Sequence, residues 1–470
     1  MMDRYAHFHV IPMSSSPPEQ TRRLRVLMSA YACEPGRGSE PEVGWRWALQ
    51  MARYHEVTVL TRANNKPVIE AELARMGEGE PRPEFAYFDL PDCLQRIKKR
   101  FSLHRPYYAW WQRMARQFVG ELLKVRSFDI VHHVTFATYR STPAVCGLGL
   151  PSIWGPVGGV ESIPLGLLPW KHPGTLMVEL LRNFDNALQT AFLGLTRMRA
   201  LQSRIVLAST LQMKAAFHDL GIPARLMPTV GLDLGEMPRL GPAPAPSSGP
   251  LRLLYVGNLL ALKGVDLALE ALSQSGLDAT LTLIGDGPFQ RNLERLARRL
   301  GLADRVNFRG RLPRREVLAS YPDFDAFVFP SLHDTGGFAV LEAMASSLPV
   351  LCLAVGGPEI AVRAGCGVCV PLGSRSKVVA ELASVLRHFD QDRKGLAEMG
   401  RQARFSIEAH YDWDRKGAAM NEIYNELRRM TPPCVTTRSS ESSSHHETDI
   451  DQSCYRHTDF AHACGNCGVF

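Results

Sequence analysis

Between Leu24 and Leu60 the chain runs through a short apolar stretch, a glycine-bearing loop, an amphipathic stretch and a second apolar run. That order limits what it can fold into. The two runs, Leu24-Arg-Val-Leu-Met-Ser-Ala30 and Val57-Thr-Val-Leu60, are short and continuous. They read as strands buried on both faces of a sheet. Phe128-Asp-Ile-Val-His132 and Arg204-Ile-Val-Leu-Ala208 continue the series. The pattern restarts at Leu251-Arg-Leu-Leu-Tyr-Val256, passes a loop with Lys263-Gly264 and a helical stretch over 265–274, and reaches Ala279-Thr-Leu-Thr-Leu-Ile284. Val306-Asn-Phe308, Ala326-Phe-Val-Phe329 and Val350-Leu-Cys-Leu353 follow. Strands alternating with helices imply parallel sheets covered on both faces. The expected class is α/β, with two Rossmann-like doubly wound domains facing across a cleft, and ligands beyond the carboxyl ends of the strands.

The proline-rich GPAPAPSSGP, residues 241–250, separates the halves as a linker or surface loop. The expected organisation is a disordered leader over 1–23, a first domain over 24–240, a second over 251–405, a helix over 406–430, and a disordered tail over 431–470. Cys464 and Cys467 in the tail, with Cys454, His457 and His462 upstream, imitate a zinc site in a segment with little to build a core around.

No apolar run approaches the ~20 residues of a membrane span, and the first 23 residues lack a signal-peptide core. Ten cysteines without framework spacing read as reduced thiols of a cytoplasmic protein. The net charge is +7; the tail from Thr431 carries two arginines against five acids, so the body is more basic still. A basic body suits an anionic ligand, an anionic membrane surface or nucleic acid. No nucleic-acid module accompanies the charge, so no nucleic-acid partner is expected.

The chemistry concentrates in Leu332–Ala345, LHDTGGFAVLEAMA. A strand ends at Pro330, a loop runs to Gly337, and a helix is predicted over Phe338–Ser346. Gly336 and Gly337 permit a sharp turn and close approach of a ligand. The helix start offers N–H groups and a positive dipole end to phosphate oxygens. Glu342, just over one turn in, suits the hydroxyls of a ribose, and Asp334 suits those of a sugar carried by the phosphates. The same residues also read as a plain turn and a helix-surface acid, so the flanking sequence has to decide.

Pro330–Glu359, PSLHDTGGFAVLEAMASSLPVLCLAVGGPE, resembles the donor-binding region of the retaining GT-B glycosyltransferases of family 4, which carry two acids separated by seven positions. Tyr255–Gly264 resembles that family's phosphate loop, with Lys263 at the lysine position. Leu283–Pro288 and Val306–Tyr321 are similar to its nucleotide-flanking segments. Ser29–Trp45 resembles the glycine loop facing the donor phosphates, where Gly36, Gly38 and Ser39 are candidates and Trp45 and Trp47 read as core. Phe128–Phe136 lies where the family has a histidine near the transferred sugar; His132 fits that position better than His133, and either also reads as structural. Ile153–Glu161 and Met227–Asp233 are similar too, so the likeness runs from about Leu24 to Met430. In relatives the final helix, here Tyr411–Arg429, crosses back to the first domain.

Three positions depart from the family pattern. Asp334 replaces the usual Glu and is shorter by about one 1.5 Å carbon–carbon bond. Asn258 stands where Arg is common, which shifts diphosphate binding toward Lys263. Ser347 stands where Gly is usual.

The resemblance implies transfer of a sugar from a nucleoside diphosphate sugar to a glycan or lipid-linked acceptor, with retention of anomeric configuration, no metal and no cofactor. The implied catalytic residues are Asp334, Lys263 and His132; the implied donor-binding residues are Gly38, Asn258, Gly336, Gly337, Phe338 and Glu342. Lys263 and the N–H groups near Gly337 and Phe338 would steady the leaving diphosphate. Asp323-Phe-Asp325 precedes a buried strand and reads as structural. Between Gln95 and Arg126, Lys98, Lys99, Arg100, Arg105, Arg113 and Arg116 interleave with Tyr107, Tyr108, Trp110 and Trp111. This stretch reads as peripheral contact with the inner face of an anionic membrane, or as a helical pair with a solvated basic face. Two other functions stay open: another GT-B activity such as a sugar-nucleotide epimerase, and a nucleotide-sugar-binding subunit without catalysis. A phosphorylase would need a pyridoxal-phosphate lysine context that is not seen.

Overall fold

The computed structural model of the chain describes residues 22–101, 104–167, 173–191, 193–237 and 249–430. Nearly all of the expected leader, residues 241–248 of the expected linker, and the whole tail with Cys464 and Cys467 lie outside the described residues.

The first sheet has seven parallel strands: β1 (Arg25–Ala30), β2 (Glu56–Arg62), β3 (Glu84–Phe88), β4 (Ile130–Thr135), β5 (Ser152–Val157), β6 (Ile205–Ala208) and β7 (Ala224–Leu226). Their spatial order is β3-β2-β1-β4-β5-β6-β7. The second sheet has six: β8 (Leu251–Val256), β9 (Ala279–Ile284), β10 (Val306–Gly310), β11 (Ala326–Phe329), β12 (Val350–Leu353) and β13 (Gly367–Val370), in the order β10-β9-β8-β11-β12-β13. Both are doubly wound, and the strand order reverses between β1 and β4 and between β8 and β11. Those two switch points are where such sheets bind ligands.

Helices cover the first sheet: α1 (Ser39–Ala52), α2 (Lys66–Leu73), α3 (Asp92–Phe101), α4 (His104–Val125), α5 (Pro173–Ala191), α6 (Leu193–Leu201) and α7 (Leu211–Asp219). The second carries α8 (Val265–Ser275), α9 (Gln290–Arg299), α10 (Arg314–Ser320), α11 (Phe338–Ala345), α12 (Gly356–Ala361), α13 (Arg375–Gln391) and α14 (Arg393–His410). The last helix, α15 (Trp413–Met430), packs on α1 of the first domain.

The two halves share a local device. In β1, the Arg25 N–H and guanidinium donate to Asp129, at 2.7 and 2.9 Å; in β8, those of Arg252 donate to Asp325, both at 2.8 Å. Each pair locks the first strand of its half to the chain entering the fourth, which fixes the register at the switch point. Asp325 is therefore structural, as its place before β11 suggests.

The strands are apolar because both faces are covered. In β11, β12 and β6 every residue is buried. In β4 the buried set includes His132, His133 and Thr135, whose polar atoms must then find protein partners. The chain passes between domains at Met227–Met237 and again at Tyr411–Trp413, where the two segments pair: Leu232 N–H donates to Tyr411 O at 2.8 Å, and Trp413 N–H to Leu232 O at 3.1 Å. Trp413 packs edge-on against Trp47, ring centroids 5.2 Å apart, and the buried Lys416 donates to Pro228 O at 2.6 Å. Met420, Ile423, Tyr424 and Leu427 complete the buried face of α15. At about 1.5–3 kcal/mol per buried apolar side chain, this face holds the helix to the first domain. Among the described residues no helix is long and apolar enough to cross a membrane.

Candidate active site

The loop after β11 is shaped by its own aspartate. Asp334 Oδ1 accepts from Gly336 N–H at 3.2 Å and Gly337 N–H at 2.6 Å, an Asx-type turn that a longer carboxylate side chain would not close as tightly. Gly337 then takes a left-handed conformation, φ 69°, and α11 begins at Phe338 without a capping side chain. Phe338 and Ala339 of its first turn, whose N–H groups find no partner within the helix, line the cleft. The loop is buttressed from behind: Gly357 N–H donates to Asp334 O at 2.9 Å, and a Cβ on Gly356 would sit 2.0 Å from that same oxygen.

Lys263 enters from the loop after β8. It ends a short 3-10 turn, Ala261–Lys263, and Gly264 follows in the left-handed region, pressed against Pro330 O. That close approach sets the Lys263 stem beside the end of β11. Lys263 Nζ lies 2.6 Å from Asp334 Oδ2. Asn258 lies on the same wall, its carbonyl accepting from Tyr255 OH at 3.1 Å.

Glu342 is buried one turn into α11. Its Oε1 accepts from Arg314 Nη1 at 2.5 Å and its Oε2 from Tyr321 OH at 3.2 Å. Burial pushes the Glu342 carboxyl up from the ordinary carboxylate range, opposed by the Arg314 charge and the two hydrogen bonds. Arg314 also lies 3.8 Å from Glu236, and Glu236 pairs with Arg46 of α1. Arg46 further holds Glu42 and Asp233, each at 2.8 Å. An alternating line of charges, Arg46–Glu236–Arg314–Glu342, thus runs from α1 across the cleft to α11.

The first-domain wall carries Gly36, Gly38 and Ser39, with Glu40 and Glu42 just behind. Gly38 and Ser39 both have positive φ, 67° and 54°. Gly36 N–H donates to Glu42 Oε2 at 2.7 Å. Burial raises the Glu40 carboxyl, although it accepts from Phe136 N–H at 2.8 Å. Together the walls enclose about 1010 Å³, at the upper end of the ~300–1,000 Å³ of small-molecule sites.

The structure brings Gly38, Asn258, Lys263, Asp334, Gly336, Gly337, Phe338 and Glu342 to one cavity. It does not bring His132 there. His132 is fully buried in β4, with Nδ1 2.7 Å from Tyr424 OH and Nε2 2.8 Å from Gly155 O. Both ring nitrogens are engaged inside the fold, so His132 ties β4 to α15 and β5 instead of facing the cleft. His133 is likewise buried, between Ser29 and Tyr108. The Gly337 N–H, expected for phosphate, is held by Asp334, which leaves those of Phe338 and Ala339 as the helix-start donors beside the cavity. Trp45 borders the cavity, while Trp47 is core.

Sequence reading missed Arg314, Arg46, Glu236 and His333 as cavity residues. Arg314 sits among Arg309, Arg311 and Arg315, and only the start of α10 selects which one reaches Glu342. Among the described residues, no group of three or more His, Cys, Asp or Glu side chains is placed to hold a metal ion.

Residues 242–404 match the family model described as glycosyl transferases group 1. The chain is 32% identical over 204 residues to the glycogen synthase of Mycobacterium tuberculosis strain H37Rv, covering 42% of this chain and 48% of that protein. It spans less than half the length of the curated relatives it matches. Sucrose-phosphate synthase from Thermosynechococcus elongatus superposes with a TM-score of 0.59 at 18% identity, over 87% of this chain and all of that one. Alr3699/HepE of Anabaena, solved in complex with UDP-glucose, gives 0.54 at 17% identity, over 86% of this chain and all of that one. Residues 242–404 therefore resemble a glycosyl transferases group 1 domain, set within a two-domain GT-B fold.

Proposed function

We propose that the chain transfers a sugar from a nucleoside diphosphate sugar, bound in the cleft, to a glycan or lipid-linked acceptor, with retention of anomeric configuration. The observation that carries this reading is the junction of Lys263 Nζ, the Asp334 carboxylate and the first turn of α11 on one wall. An ammonium and a positive helix end together suit a diphosphate and its growing charge as the glycosidic bond breaks. HepE holds UDP-glucose on a similar fold, which supports the donor class.

Glu342, pinned by Arg314 and Tyr321, still has lone pairs for the two hydroxyls of a ribose. Asp334 steadies Lys263 and the turn, and its remaining lone pair, on Oδ2, accepts a sugar hydroxyl. The cationic groups at the phosphates do the charge neutralisation that a divalent ion does elsewhere, so the transfer is read as metal-independent. The acceptor attacks on the face the diphosphate leaves, and the departing phosphate takes its proton. The acceptor approaches from the first-domain wall at Gly38 and Glu40. The basic–aromatic stretch 95–126 rests on the anionic inner face of a membrane, where a lipid-linked acceptor is presented.

A binding subunit without catalysis is the second reading, favoured by the way Asp334 is folded into its own turn. Release of nucleotide from a panel of UDP-, GDP- and ADP-sugars separates the two. Slow release of one nucleotide, lost in Lys263→Ala and Glu342→Ala, supports transfer. Binding without release, even when acceptor glycans are added, supports the binding subunit.

A further inference from the structure

Helix α5 is amphipathic in sequence but faces the wrong way for a soluble protein. Met177, Leu181, Phe184 and Leu188 recur at helical spacing and form one apolar stripe, widened by Val178. Such a stripe ordinarily seeks the core. Here it points outward: Met177 is 58% exposed, Leu181 59%, Phe184 66% and Leu188 42%.

The buried side of α5 is mixed: Leu176 and Leu180 pack against the core, and Glu179, Asn183 and Asn186 turn inward beside them. Asn186, 3% exposed, donates to Val160 O and Glu161 O, both at 3.2 Å, and accepts from Tyr139 OH at 2.9 Å. Asn183 donates to Ile163 O at 2.9 Å, and the buried Glu179 pairs with Arg182. The helix is thus pinned in its orientation by polar contacts that rotation would break. Its apolar stripe is a fixed feature of the surface, larger than the scattered apolar residues a monomer ordinarily shows.

The surroundings identify what covers it. Arg105 at the start of α4 reaches to 3.8 Å from Asp185 of α5, which brings that end of α4 near the helix. From Asp92 to Arg116 the chain has seven Lys and Arg against a single acid. Trp110 and Ile97 of this segment are half-exposed, and Lys98 lies 4.3 Å over the Tyr107 ring. A second copy of the chain docked stripe to stripe would set two such basic segments near one another. An anionic lipid surface instead matches both: apolar residues enter the boundary between headgroups and acyl chains, and the basic flank meets the headgroups.

The position bears on the cleft as well. The inner face of α5 holds residues 160–163, and nearby Gly158 abuts the donor loop, where an added Cβ would lie 3.2 Å from the Thr335 methyl. The stripe thus lies on the outer face of the helix whose inner face holds the segment leading from this loop.

We infer that α5 is an interfacial helix that docks the first domain on an anionic bilayer through Met177, Leu181, Phe184 and Leu188. Its purpose rests on the lipid-linked acceptor proposed above; its structural basis does not. The test is flotation of the full-length protein with vesicles of phosphatidylglycerol and phosphatidylcholine, and with phosphatidylcholine alone. Binding to the anionic vesicles is expected, weakened by salt, and reduced about tenfold or more in Leu181→Glu/Phe184→Glu. A milder pair, Met177→Gln/Leu188→Gln, should weaken it in the same direction, with circular dichroism and nucleotide binding unchanged in both variants. Absence of binding to either vesicle, or equal binding by the variants, overturns the inference. So does a dimer in sedimentation that both variants break while vesicles are ignored, which would make the stripe an interface between copies. Vesicle binding beside an inert donor panel would leave the docking intact and remove the transferase reading alone.

Discussion

Lys263 Nζ stands 2.6 Å from Asp334 Oδ2, so one wall of the cleft already holds an ammonium against a carboxylate. A diphosphate entering there competes with Asp334 for the same cation. Lys263→Ala should therefore weaken nucleoside diphosphate binding about 10- to 100-fold, as loss of a charge-assisted hydrogen bond does. Asp334→Asn should behave oppositely. Its amide oxygen can still accept from Gly336 and Gly337, keeping the turn, while the competing charge is gone. Nucleotide affinity should stay equal or rise, and sugar transfer should fall. Calorimetry beside a turnover assay reads both.

Arg314 opposes protonation of the buried Glu342. Burial raises the Glu342 carboxyl, and the neighbouring guanidinium opposes that rise. In Arg314→Ala the carboxyl should rise further and take a proton at higher pH. A protonated acid has less to offer ribose hydroxyls, so donor affinity in this variant should fall as pH drops, and begin to fall at a higher pH than in the parent. Donor KM measured between pH 8 and 6 checks the slope.

Ser347 sits just past the end of α11 with φ 60°, the left-handed region that glycine occupies without strain. The backbone bonds of a helix end surround it: Ser347 N–H donates to Met344 O at 3.0 Å and Leu348 N–H to Ala343 O at 2.9 Å. The conformation costs an L-residue ~1–2 kcal/mol, partly offset by the greater freedom glycine has when unfolded. Ser347→Gly should stabilise the protein by about 0.5–1 kcal/mol, a rise of a degree or two in thermal midpoint.

Burial lowers the His132 imidazole to about 4, and that of His133 to about 3, from an ordinary 6.5. The unfolded chain takes up these protons as pH falls below 6.5, and the native fold does not until near the lowered values. The contribution of the two histidines to stability is thus full above 6.5 and is lost as pH falls through about 4 to about 3. Thermal midpoints across that window should decline, and His132→Gln should make the decline shallower while lowering stability at neutral pH.

The doubly wound halves were legible because parallel strands covered on both faces leave continuous apolar runs, and the glycines of Gly336–Gly337 marked the turn into α11. What escaped was what depends on side-chain direction. His132 lies in an unbroken buried strand, where a sequence position beside a family motif does not tell whether the ring faces the cleft or Tyr424. The α5 stripe has the spacing of a core-facing helix, and only the hydrogen bonds of Asn183 and Asn186 reveal that it is turned outward. The Arg314–Glu342 pair joins residues 28 positions apart, beyond the reach of local pattern.

The donor cradle is tested most directly by calorimetric titration of UDP, GDP and ADP into the purified protein and into Lys263→Ala. The account predicts that one of the three binds the parent at a single site, and that the substitution weakens it about tenfold or more. Binding that Lys263→Ala leaves unchanged, or no binding of any of the three, would contradict it.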